Sequence, residues 1–307
     1  MRAFHRSGLF LSFLMCTVGL QLASCRTAAS GQYPLDLERE LAALERGGRL
    51  GVAVLDTGTG VLRGHRLDER FAMCSTFKLA LAAMVLDRAA HGGTPLQTRL
   101  QVAPSDLLAH APVTRAAVEA AAARGAATAE LSLAELAEAA QTTSDNGAAN
   151  LLLRDLGGPA AFTAFCRAHG DAVTRLDRYE PKMNYVMPGD ERDTTTPRAM
   201  AQLLATLFGG ALAPAERQTL RQWMIATANG AARVRQGLPV AWLAGDKIGT
   251  GGGGGMTVHC NDVVWIEPPG RAPWVVAVYY DTGVVGEWPS KADEAVLAEV
   301  GRIVARW

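Results

Sequence analysis

The sequence predicts an α/β protein: a three-layer sandwich whose antiparallel sheet is assembled from both chain ends, flanked by helices and standing beside an all-helical lobe. Three observations carry that expectation. Short runs rich in β-branched and aromatic residues occur near the start of the globular part and again between residues 244 and 281. The long middle, Ser75 to Met224, is rich in Ala and Leu at helical spacing. With 307 residues, the chain is long enough to bury a large core.

The first thirty residues read as a secretory leader. Arg2, His5 and Arg6 make a basic start, and Gly8 to Ala23 is almost wholly apolar but too short for a comfortable transmembrane span. Its end has competing readings. Leu22-Ala-Ser-Cys25 resembles a bacterial lipobox, which would make Cys25 a lipid anchor. Thr27-Ala-Ala29 offers ordinary cleavage, and a retained signal anchor is a third reading. Beyond the leader, Leu35 to Glu45 has helical spacing, Arg49 to Leu55 reads as a buried strand, and Asp56-Thr-Gly-Thr-Gly60 reads as its turn. Strands return at Ala244 to Thr250, Val258 to Glu267 and Trp274 to Asp281. Ser290 to Trp307 closes the chain as an amphipathic helix, with Ala292, Ala295, Val296, Val300 and Ile303 on one side. Within the helical middle, Arg175 to Pro197 breaks the pattern with dense charge and two prolines before its end, the mark of a functional loop.

Composition removes several function classes. Thirty basic residues balance thirty acidic ones, so no global field recruits nucleic acid or an anionic membrane surface. Of five cysteines, Cys16 and Cys25 belong to the leader. Cys74, Cys166 and Cys260 form no CxxC pair and read as small buried hydrophobes. The six His give no HExxH or HxH arrangement, so neither a metal nor a cofactor is expected.

Four clusters carry chemistry. In Phe71-Ala-Met-Cys-Ser-Thr-Phe-Lys78, Ser75 stands at a helix start and Lys78 follows three residues on, sharing one helical face. An amine can then reach and activate the hydroxyl, although a capping serine beside a solvated lysine would look the same. Ser144-Asp-Asn146 precedes another helical run. It suits either a helix cap or a proton-relay hydroxyl with an amide for substrate. Within the irregular loop, Arg178-Tyr-Glu-Pro-Lys-Met-Asn184 pairs a carboxylate, Glu180, with an amide, Asn184, that together could hold a water. Arg178 and Asp193 could tie the loop's ends by an ion pair, while a plain charged surface loop is the alternative. Finally, Asp246-Lys-Ile-Gly-Thr250 runs into five glycines. This strand could lie close against a substrate and offer Lys247 to a carboxylate, or be a flexible hairpin with an exposed lysine.

Taken together and in this order, the S-x-x-K, S-D-N and K-x-G elements with the Glu180 loop make the chain resemble the class A serine β-lactamases over nearly its whole mature length. The loop resembles the omega loop of that class. Penicillin-binding proteins share the first three motifs but lack its glutamate. The resemblance implies a β-lactamase/transpeptidase-like fold, with a leader at 1–29 and a catalytic domain at 32–307. Its α/β part would span about 35–70 and 226–307, its helical part about 74–225. It further implies an exported, periplasmic, monomeric enzyme acting on small-molecule β-lactams. Ser75 would be the nucleophile, and its N–H with that of Thr250 the oxyanion hole. Lys78 and Glu180 would share the activation of Ser75. Ser144 would pass a proton to the leaving nitrogen, and Glu180 with Asn184 would hold the deacylating water. Asn146, Lys247, Thr250 and Arg233 would contact substrate. His110 stands where the class usually has an aromatic gate. Two departures stand out: Ile248 replaces the usual hydroxyl residue of K-T-G, and Gly251 to Gly255 lengthen the hairpin. Cys74 occupies the position of a disulfide cysteine in one subset, whose partner would fall at Gly251.

Overall fold

A computed structural model describes Met1, residues 37–45 and residues 47–307. The expectations for the leader, Cys25 and the cleavage site lie outside the described residues. Helix α1 (Leu37–Ala42) precedes strands β1 (Arg49–Asp56) and β2 (Leu62–His65). A two-residue strand, β3 (Phe71–Ala72), leads into a tight helical turn at Cys74–Thr76 and then α2 (Phe77–Ala90). Next come β4 (Arg99–Val102), α3 (Pro112–Ala122), β5 (Ala129–Ser132), α4 (Leu133–Thr142), α5 (Asn146–Asp155) and α6 (Pro159–Ala168). The charged loop ends in β6 (Thr194–Thr195), followed by α7 (Pro197–Thr206), α8 (Pro214–Ile225) and α9 (Val234–Gly237). Strands β7 (Leu243–Gly253), β8 (Met256–Glu267) and β9 (Trp274–Val285) precede the last helix, α10 (Lys291–Val304).

Strands β1, β2, β7, β8 and β9 form one sheet in the order β2-β1-β9-β8-β7, and every neighbouring pair is antiparallel. β1 from the start of the fold pairs with β9 from its end, Val52 opposite Val278, so the sheet closes only when both chain ends meet. Alternation along these strands assigns two faces. Leu50, Val52, Val54, Val276 and Val278 pack in the core with α1 and α10, whereas Ala53, Leu55, Val275, Ala277 and Tyr279 join the core of the helical lobe. Burial on both faces explains why β1 and the first half of β9 read as near-continuous apolar runs.

In the lobe, α2 is buried almost all round and meets α4, α5, α6 and α8. A helix apolar on every side belongs at a core, and this one carries Lys78. The lobe is not purely helical, contrary to the sequence expectation. It holds two small antiparallel ribbons, β4–β5 and β3–β6. Strands of two to four residues are too short to register against the helical periodicity around them. The buried face of α10 also differs. Val296, Val300 and Ile303 are buried as expected, but Ala292 and Ala295 are exposed, and Leu297 and Val304 take their place. The larger side chains bury more apolar area and therefore set the face.

Candidate active site

Ser75 sits in the Cys74–Thr76 turn and makes no capping bond there; Met73 is the residue that precedes the turn. Its hydroxyl instead accepts a hydrogen bond from Lys78 Nζ at 2.9 Å and lies 3.4 Å from Glu180 Oε1. The spacing-based expectation for Ser75 and Lys78 therefore holds in space, and the solvated-lysine alternative does not: Lys78 is fully buried. Its ammonium is a hub, also reaching Glu180 Oε1 at 2.9 Å, Ser144 O at 3.0 Å, Ser144 Oγ at 3.4 Å and Asn146 Oδ1. Three protons must serve five acceptors, so the proton positions can be exchanged among them.

The S-D-N cluster divides its work. Asp145 caps α5 through Ala148 N at 2.9 Å and also accepts from Val113 N and Thr114 N, so the capping alternative is correct for that residue. Ser144, on its N-terminal side, adopts a left-handed φ of +60°, which costs about 1–3 kcal/mol for a non-glycine residue. In that conformation its carbonyl and hydroxyl both face Lys78. Its Oγ also accepts from Lys247 Nζ at 3.1 Å. Asn146 opens α5 beside Lys78, with its N–H donating to His110 O at 2.9 Å. His110 Nε2 lies 2.9 Å from Thr143 O, a contact that needs the proton on Nε2.

The charged loop carries its glutamate inward. Asp193 accepts from the Asp177 and Arg178 N–H groups at 2.7 and 3.0 Å and pairs with the Arg178 guanidinium, the closure expected from sequence. A second clamp went unforeseen. Asn150 of α5 donates through Nδ2 to Glu180 O at 2.9 Å and accepts from Glu180 N at 3.0 Å, bolting the loop to the lobe. The signal was present as a lone amide inside the apolar run Ala148 to Leu153. Glu180 is 4% exposed, and Asn184 Nδ2 donates to its Oε2 at 2.6 Å.

β7 forms the opposite side. A Cβ on Gly249 would lie 2.8 Å from Met73 O and 3.2 Å from Thr76 N, so this glycine admits the nucleophile turn itself. Lys247 is fully buried, which excludes the exposed-lysine alternative. Burial, and then the nearby Lys78 charge, hold its ammonium well below the usual lysine range. Arg233 is likewise buried, donating to Gly249 O at 2.9 Å, Asn261 O at 2.7 Å and Thr250 Oγ1 at 2.8 Å. Beneath them, burial pushes Asp246 up to about 6 and Asp262 well above the usual carboxylate range. A Cβ on Gly251 would fall 2.7 Å from Cys74 Sγ, so the two positions are neighbours. Cys74, Cys166 and Cys260 are all free and buried.

These groups surround a cleft of about 360 Å³ lined by Ser75, His110, Ser144, Asn146, Asn184 and Thr250, with Ile248 beside them. Tyr185, Asn229, Glu287 and Trp288 also line it, and no sequence motif singled them out. Two larger cavities, 640 and 650 Å³, contain none of the predicted residues. Among the described residues, no His, Cys, Asp and Glu cluster could hold a metal ion.

The model of the β-lactamase enzyme family matches residues 36–307. The chain is 44% identical over 304 residues to β-lactamase L2 of Stenotrophomonas maltophilia, covering 98% of this chain and 94% of that one. It is 41% identical over 293 residues to β-lactamase CTX-M-8 of Citrobacter amalonaticus, covering 93% and 95%. A solved ancestral class A β-lactamase (GNCA) superimposes with a TM-score of 0.80 at 52% identity, covering 88% of this chain and 98% of that one.

Proposed function

Because the chain belongs to the β-lactamase enzyme family, as a member of class A, we propose that its β-lactam hydrolysis runs through an acyl-enzyme on Ser75 and a water activated by Glu180. Hydrolysis of β-lactam antibiotics, and the resistance it confers, is the activity of this chain. One observation carries the assignment of roles. A single buried carboxylate, Glu180, lies 3.4 Å from the Ser75 oxygen, 2.9 Å from Lys78 Nζ and 2.6 Å from the Asn184 amide.

In acylation, the Ser75 oxygen attacks the β-lactam carbonyl carbon as its proton passes to the Glu180 carboxylate, 3.4 Å away, or to Lys78 once the Lys78 ammonium has handed a proton to Glu180, 2.9 Å away. The backbone N–H groups of Ser75 and Thr250 stabilise the oxyanion, worth about 3–4 kcal/mol per donor in comparable sites. Ser144 then protonates the ring nitrogen as the C–N bond breaks, and its oxygen regains a proton from Lys78, which recovers one from Glu180 and leaves that group a carboxylate again. Both lone pairs of the Ser144 oxygen have an N–H donor, Lys78 or Lys247, which leaves its own proton free for the cleft. In deacylation, a water held by Glu180 and Asn184 loses a proton to Glu180 and attacks the ester carbon, and Ser75 leaves with a proton returned from the Lys78 side. Arg233 and Lys247 lie behind the wall: the Arg233 charge reaches a substrate carboxylate as a field and through the Thr250 hydroxyl, and Lys247 acts through its hydrogen bond to the Ser144 hydroxyl. Asn146 and His110 border the acyl side of the cleft.

The composition of the leader supports export to the periplasm, with Cys25 lipidated or cleavage near Thr27-Ala-Ala29. A monomer is the working unit in this reading, because one chain supplies every group named above. Purified enzyme mixed with excess chromogenic cephalosporin should turn over continuously, and Ser75→Ala should lower that rate at least about a thousandfold. One equivalent of product followed by arrest would instead mark an acyl trap of the penicillin-binding kind.

A further inference from the structure

The glycine run that ends β7 docks on the connection between β9 and α10. Gly253 N donates to Gly286 O at 2.7 Å, and Gly286 N donates to Met256 O at 3.3 Å. A Cβ on Gly252 (φ +152°) would lie 2.7 Å from Gly286 O and 2.8 Å from Glu287 O, so any other residue there would push the two segments apart. The docked connection places Glu287 and Trp288 on the cleft wall, next to Gly252 and with Tyr185 also on the lining. Trp288 is 73% exposed and Tyr185 44% exposed, two large aromatic surfaces left in water at a binding cleft. Glu287 is the one carboxylate on the lining, and it forms no ion pair among the described residues.

Position along β7 says which part of a substrate meets this wall. Gly252 lies five residues beyond Lys247, roughly 16 Å at the rise of an extended strand. Gly249, between them, abuts the Ser75 turn. A β-lactam with its carboxylate drawn toward Lys247 and Thr250, and its reacting carbonyl at Ser75, extends its acyl side chain toward Gly252. We propose that Glu287 and Trp288 form a subsite for a positively charged group on that side chain, so that cationic β-lactams are preferred over their neutral counterparts. The inference rests on the Ser75 reading above. An exposed aromatic face and an exposed carboxylate should each favour a cation about two- to fivefold.

The test compares kcat/KM for a penicillin bearing an α-ammonium on its phenylacetyl side chain with that for benzylpenicillin, which lacks it, below neutral pH. Both exposed positions can be replaced without opening the core, and melting curves check this. The cationic-to-neutral ratio should fall about two- to fivefold in Glu287→Gln and in Trp288→Ala, fall further in Glu287→Lys, and shrink with added salt in the wild type. The same ratio in all four proteins would overturn the subsite while leaving the Ser75 reading intact. If the wild type turned over neither penicillin, the Ser75 reading would fail and the subsite with it.

Discussion

Thr250 is the position at which a single substitution reports most on how this site replaces its missing hydroxyl. The side chain before Gly249 is Ile248, which offers no donor, and the residues on either side of Thr250 are glycines. Thr250 Oγ1 accepts from Arg233 at 2.8 Å, so its own proton is free to point into the cleft that Thr250 lines. Replacing Thr250 with Val keeps the shape and removes that donor. A hydrogen bond to a charged partner is worth about 1.5–3 kcal/mol, so kcat/KM for benzylpenicillin should drop about ten- to 150-fold. Arg233 keeps its bonds to Gly249 O and Asn261 O, so the fold should survive, as a melting curve would verify. Residues 248 and 250 lie on one face of the strand. Adding Ile248→Thr to Thr250→Val should therefore restore much of the loss, whereas in the wild-type background it should add less. Steady-state kinetics on the four proteins decides it. A loss below threefold in Thr250→Val, or no recovery in the double variant, would refute the reasoning.

Two further outcomes follow from buried groups. Asn150→Ala leaves the Glu180 N–H and C=O without partners in a buried setting, costing about 2–4 kcal/mol. Tm should fall, and the adduct should clear more slowly while acylation changes less; an unchanged Tm would show that the clamp is idle. Asp246 titrates near 6 when folded against 3.8 as an unperturbed carboxyl, because burial outweighs the pull of Arg235 and Lys247. The folded state therefore holds this proton more tightly, and stability from Asp246 is greatest below 3.8, lost as pH rises to about 6, and level above. The stability of wild type minus that of Asp246→Asn, from urea midpoints, should decline across that window. A flat or rising difference would contradict the assignment.

The parts of the site readable from sequence are those whose chemistry is local. Ser75 and Lys78 share a helical face, Glu180 and Asn184 share a short turn, and Arg178 with Asp193 closes its own loop. What was not readable depends on contacts between distant segments. Nothing near Lys78 in sequence says that it meets Ser144 and Asn146, sixty-six and sixty-eight positions away; only the order of the motifs implied it. Asn150 looked like one more helical position until the loop folded over it. Glu287 and Trp288 belong to no motif and reach the cleft only because the glycine run gives way to their backbone. The central sheet was legible because β1, β9 and the second half of β8 carry buried apolar residues on both faces. The β4–β5 ribbon was not, since four residues cannot outvote the helical pattern on either side.

The most direct measurement follows the mass of the intact protein after mixing with benzylpenicillin, for wild type, Ser75→Ala and Glu180→Gln. Glu180→Gln keeps the shape and removes the base, which should slow release of the adduct about 10²- to 10⁴-fold. We expect a persistent penicilloyl adduct on Glu180→Gln, none on Ser75→Ala, and only a fleeting one on wild type. An adduct on Ser75→Ala, or one that clears from Glu180→Gln as fast as from wild type, would contradict the pairing of these two residues around one carbonyl.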